Sequence, residues 1–188
     1  MSPLSFLRPR FRACLAACLF GGALAPASAF AQDTITTDTR AAIIEPLTLT
    51  KISDLDFGDL VGATAGTIVL TPTATATCVA TGGLIRSAEC QPATFVGSGN
   101  NNQRVRVRRP VGNTITLTGP GANMTVTDIT INGDEDLTPV RSNRNWERFR
   151  IASANGSFVF RVGGTLNVKA GQAPGLYTGT FDIRIDYQ

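Results

Sequence analysis

The last fourteen residues, Gly175 to Gln188, read GLYTGTFDIRIDYQ. From Tyr177 the odd positions carry Tyr177, Gly179, Phe181, Ile183, Ile185 and Tyr187, while the even ones carry Thr178, Thr180, Asp182, Arg184 and Asp186. Alternation of period two sends successive side chains to opposite faces of a strand, whereas a helix would scatter both rows around its axis. The stretch therefore predicts a long strand over Tyr177 to Tyr187, with one apolar row on a core and one polar row in solvent.

Working outward, the same pattern recurs. Lys169 to Pro174 reads as a turn, and before it Ser157 to Val168 presents Phe158, Phe160, Val162, Leu166 and Val168, with Gly163-Gly164 suggesting a bulge or kink between two half-strands. Ala41 to Lys51 puts Ile43, Leu47 and Leu49 on one face. Pro46 lacks the N–H a central strand needs, so that run belongs at an edge or at a switch between sheets. Asp54 to Gly58, Thr67 to Leu70, Ala93 to Val96, Asn113 to Thr118 and Met124 to Ile131 are further short strands. The GSGNNN turn at Gly97 to Asn102 predicts a hairpin whose second strand, Gln103 to Arg108, turns Val105 and Val107 inward and Arg104, Arg106 and Arg108 outward. Leu137 to Gly156 is the least regular stretch and reads as a loop. Thr, Val, Ile and Gly abound and long amphipathic helical patterns are missing, so the class is all-β.

The N-terminus reads as an address. Arg8, Arg10 and Arg12 precede a small apolar run, Ala13 to Ala25, and Ala29-Phe30-Ala31 offers a cleavage site, so residues 1–31 are expected to be a signal peptide. A competing reading takes Leu15-Ala16-Ala17-Cys18 as a lipobox, but too few apolar residues separate Arg12 from Cys18. Residues 32–188 are then one domain, with an extension at 32–42. The first 31 residues hold three of the seventeen basic side chains and no acidic one, which leaves fourteen of each sign. That zero balance gives no support to a nucleic-acid partner, and no stretch approaches the roughly twenty apolar residues of a membrane span.

Few residues offer chemistry. Cys78 and Cys90 are expected to form a disulfide in an oxidising compartment; a metal site would lack ligands, because the chain has no histidine. The carboxylates of Asp54 and Asp56 flank inward positions and should face solvent rather than form a catalytic pair. With no histidine, nucleophile elbow or phosphate loop, neither an enzyme nor a cofactor is expected. Arg144, Trp146 and Arg148 form a possible ligand loop. Alternatively, Trp146 and Phe149 cap an edge and the nearby arginines pair with the acidic turn Asp134 to Asp136.

Several segments together carry a resemblance: Arg40 to Thr50, DLDFG at Asp54 to Gly58, GTIVLTP at Gly66 to Pro72, ATF at Ala93 to Phe95, VGGTLNV at Val162 to Val168 and PGLYTGTF at Pro174 to Phe181. In this order they resemble the bacterial domain-of-unknown-function family 4402, itself similar to archaic chaperone-usher pilins and spore-coat U-like domains. Gly175 fourteenth from the end and Tyr187 next to last are likewise similar to the C-terminal motif of chaperone-usher pilins. The resemblance implies an immunoglobulin-like antiparallel β-sandwich, incomplete by one strand and completed by a donor strand. The acceptor would be the last strand, Gly175, Tyr177, Phe181, Ile183, Ile185 and Tyr187. The donor would present Ile35, Ala41 and Ile43. Implied partners are like subunits joined head to tail, a periplasmic chaperone and an outer-membrane usher, and the implied location is the periplasm and then the cell surface, as a fimbrium. The alternative is a self-complete periplasmic or surface binding or adhesin module.

Overall fold

The computed structural model describes residues 37–62 and 64–188. The expected signal peptide and Ile35 lie outside the described residues. Ala42–Gln188 forms a compact unit.

The described chain is built from short strands, and every paired set among them is antiparallel. In order they are β1 (Thr48–Ser53), β2 (Leu60–Val61), β3 (Gly66–Thr71), β4 (Thr77–Ala80) and β5 (Ile85–Arg86). After them come β6 (Ala93–Ser98), β7 (Arg104–Arg108), β8 (Ile115–Leu117) and β9 (Met124–Asn132). The chain closes with β10 (Leu137–Asn143), β11 (Trp146–Ile151), β12 (Ser157–Val168) and β13 (Arg184–Tyr187).

The organising strand is β12. Its first half pairs with β6 and its second half with β3, while β9 pairs with it across that change of neighbour. The expected kink at Gly163-Gly164 is instead the point where one continuous strand passes from one partner to the next. Side chains there would not fit: a methyl on Gly163 would meet the Leu70 carbonyl, and one on Gly164 would press on Val126 and Thr127. The irregularity sits on the opposite strand. Between Gly163 and Thr165 the register with β9 slips, and Asp128 adopts φ 49°, a β-bulge. The extra residue resets the inward phase of β9, from Met124 and Val126 before the bulge to Ile129 and Ile131 after it.

A seven-stranded sheet thus runs β1-β6-β12-β3-β4, with β9 and β8 attached to β12, and a four-stranded sheet runs β10-β11-β7-β13. Both send side chains into one core. Phe158, Phe160, Ile68 and Leu70 of the larger sheet and Val105, Val107, Phe149 and Ile151 of the smaller one are all sealed from solvent. The Phe95 and Phe160 rings stack with centroids 5.1 Å apart.

Two expectations fail here. The predicted hairpin between Ala93–Val96 and Gln103–Arg108 does not exist: β6 pairs with β1 and β12, whereas β7 pairs with β11 and β13. The Gly97 to Asn102 turn carries the chain from one sheet to the other. Leu137 to Gly156, expected as a loop, holds the β10–β11 hairpin. Its turn is capped by Asn143, whose side-chain oxygen accepts hydrogen bonds from the backbone N–H of Asn145 (2.9 Å) and Trp146 (3.0 Å).

Candidate functional site

The C-terminal segment is pinned at its two ends and loose between them. At the first end the Tyr177 hydroxyl donates to the Ala173 carbonyl (2.9 Å) and accepts from the Gly121 N–H (3.0 Å), with the ring lying against Gly119. Thr178 then forms an isolated bridge with Thr118, just beyond β8. Gly179 packs onto β8 so closely that an added methyl would meet the Thr116 carbonyl. From there to Ile183 no ladder pairing is made, and only at Arg184 does the chain join β7 as β13. Of the predicted strand over Tyr177 to Tyr187, only the last four residues form a ladder; ahead of them only Thr178 is bridged. The reason is topological: the segment crosses from the larger sheet to the smaller one, and among the described residues no strand pairs with it on the way. On its β7 side an open cavity of about 870 Å³ separates Thr178–Arg184 from Arg108–Thr118.

At the far end the Tyr187 hydroxyl donates to the Glu45 carbonyl (3.0 Å) and accepts from the Asn100 N–H (2.9 Å). Among the described residues β13 is the outermost strand of its sheet, and its second edge has no partner there. The alternation of the segment survives in its burial. Phe181, Ile183, Ile185 and Tyr187 all pack against the core, yet each is only partly covered, while Val105 and Val107 one strand away are fully sealed. Of the predicted donor residues, Ala41 and Ile43 are exposed and in no strand, and Leu47 is the first residue to turn toward the core.

The predicted ligand loop is divided. Trp146 and Arg148 lie on β11, with the Arg148 guanidinium 4.9 Å from the centre of the Trp146 ring, and Arg144 sits in the β10–β11 turn. Phe149 points into the core and caps no edge. The acidic turn pairs through Asp134 with Arg161 rather than with the arginines of this hairpin. Asp56 forms a bridge with Gln91 and its carboxylate accepts from the Gly58 N–H, while Asp54 is exposed and pairs with Lys51.

Three features were not anticipated. Arg109, almost fully buried, pairs with Glu147 and donates to the carbonyls of Ile129 (2.8 Å) and Asn143, locking β7 to β9 and the β10–β11 hairpin. Asp186 bridges Arg108 (3.0 Å) and Arg106 (3.5 Å) across the β7–β13 pair; the hydrogen bond from Arg108 is the leading cause that holds its carboxyl below the usual range, partial desolvation opposes it, and the charges of Arg108 and Arg106 add to the lowering. Tyr187 reaches back to Glu45, 142 residues earlier. Only the placement of alternating Arg and Asp on predicted strands hinted at the second of these. The Cys78–Cys90 disulfide is present, with Cα atoms 6.4 Å apart, and ties β4 to the segment after β5.

Antiparallel sheets around one core and, among the described residues, a terminal strand with an unpaired edge and no helix able to cross a membrane define an all-β module. The chain belongs to the family described as domain of unknown function DUF4402, whose profile matches residues 47–187. Comparison with curated proteins and with solved structures gave no match.

Proposed function

We propose that this protein is an exported, non-catalytic structural subunit of a fimbria-like surface polymer, an immunoglobulin-like sandwich lacking one strand. One observation carries this: β13 has, among the described residues, a free edge and a partly uncovered apolar row, while Ile43, ahead of the first strand, is fully exposed. A free edge with exposed apolar side chains favours β-strand addition, in which main-chain hydrogen bonds supply affinity and alternate side chains fill pockets. The extension of one copy would lie beside β13 of the next. Such a contact is head-to-tail and need not close, so it yields a filament. Before assembly a chaperone strand would cover the same edge, and an usher would pass the subunit to the surface.

The test compares Gln32–Gln188, its disulfide formed, with a variant lacking residues 32–40, by light scattering and electron microscopy. Filaments from the longer chain alone support the proposal. If both are monomers with equal melting temperatures, the protein is a self-complete binding module.

A further inference from the structure

The outer face of the four-stranded sheet assembles a charge pattern that no single segment displays. Residues directly opposite in an antiparallel pair share a face. The registers therefore build three rows across the sheet. The first is Arg141, Arg148, Arg106 and Asp186; the second is Asn143, Trp146, Arg108 and Arg184; the third is Thr138, Arg150 and Arg104. Seven arginines face outward against one aspartate, although residues 32–188 hold equal numbers of each sign.

Like charges directly opposite on a sheet are unfavourable, and here they are repeated: Arg148 faces Arg106, Arg150 faces Arg104 and Arg184 faces Arg108. Local acids do not neutralise them. Only Arg106 and Arg108 have a carboxylate partner among the described residues, and they share Asp186. Arg148 and Arg150 donate to the neutral Gln188 and Asn102. Strand spacing of about 4.8 Å and a same-face repeat of about 6.8 Å set these arginines at regular intervals across the face. Planar, permanently charged forks of that kind bind carboxylate and sulfate oxygens in pairs.

We infer that this face binds a linear anionic polysaccharide, a chain of carboxylate- or sulfate-bearing sugars. A repeating anion matches a repeating cation, and an open sheet face admits an extended chain. Single-stranded nucleic acid is disfavoured because its binding sites supply several open aromatic platforms. Here the only aromatic on the face is Trp146, and Arg148 already lies against its ring.

The experiment uses the signal-cleaved protein and measures calorimetric binding of size-fractionated heparin and of polyguluronate at about 50 and 200 mM salt, with single-stranded DNA and phosphatidylserine vesicles as competing probes. Binding to one of the polysaccharides should weaken steeply with salt. The Arg106→Gln/Arg148→Gln variant should bind about tenfold less tightly, with a salt slope lower by about two. Asp186→Asn, which removes the only acid from the face, should bind more tightly, and Lys169→Gln, on a turn elsewhere, should match the parent. Melting curves confirm that each variant is folded; if the double variant is not, the gain from Asp186→Asn decides alone. No binding at low salt, no response to Asp186→Asn, an equal loss in Lys169→Gln, or tighter binding of DNA or vesicles would overturn the inference.

Discussion

Replacing Ile183 by alanine should separate what the C-terminal segment contributes to a single subunit from what it contributes to an assembly. A fully sealed isoleucine cut to alanine costs about 2–5 kcal/mol, through lost transfer free energy and a residual cavity. Ile151, on β11 and sealed from solvent, should behave that way. Ile183 packs on the same core but is only partly covered, so a large share of its transfer free energy is not realised in the subunit. The expected cost of Ile183→Ala is about 1–2 kcal/mol. In the proposed assembly the remainder should appear when a donor strand covers the row: about 1 kcal/mol, or roughly fivefold in affinity at each junction. Urea unfolding of the variant lacking residues 32–40 gives the first quantity, and the dissociation of filaments of the longer chain in denaturant gives the second. An Ile183→Ala cost in the unassembled subunit equal to that of Ile151→Ala would refute the reasoning, because the row would then already be sealed.

Three other perturbations have defined outcomes. Arg109→Ala strips the partner from the largely buried Glu147 and leaves two carbonyls without their donor, so urea unfolding should show a loss of about 3–5 kcal/mol; Arg109→Ala/Glu147→Ala should lose less than the two single changes added together. Asp186→Asn should lower stability modestly, by about 0.2–1 kcal/mol because the pair is half exposed. Its carboxyl is depressed in the fold, so the contribution is present above the unfolded value of about 3.9 and is lost as pH falls through the folded value; the melting difference between parent and variant should begin to shrink as pH falls below about 4 and close only below the depressed folded value. Cys78→Ser/Cys90→Ser opens a short loop and should cost about 3 kcal/mol in the chain-entropy account, visible as a lower melting temperature that the parent reproduces only under reductant.

Much of the fold was legible because apolar alternation marks inward positions one residue at a time. Val105 and Val107, Phe158 and Phe160, and Leu55 and Phe57 all face the core as their parity demands. Partnership was not legible, because period two says which face a residue occupies but not which strand lies beside it. The strong turn signal at Gly97 to Asn102 therefore suggested a hairpin where the chain in fact changes sheets. The bulge at Asp128 was visible in principle as a change of parity between Val126 and Ile129, but a run of Thr and Asp masks it. The β10–β11 hairpin was hidden for a related reason: its polar positions are arginines, and Pro139, tolerated on that edge strand, argues against a ladder. The site suffered most. Arg104, Arg106 and Arg108 stood apart in sequence from Arg148 and Arg150, and only the β7–β11 register joins them.

The chain has two tyrosines and one tryptophan, and the fold separates them by task. Tyr177 and Tyr187 grip the two ends of the C-terminal segment, and Trp146 stands among the arginines of the outer face. The molecule thus carries two kinds of built-in optical probe at different places in the fold. In the proposed assembly, changes at the Tyr187 phenol would follow the covering of the β13 edge, and indole fluorescence, excited where phenols do not absorb, would follow the charged face. One unlabelled sample can therefore report whether the two surfaces act together or ignore each other.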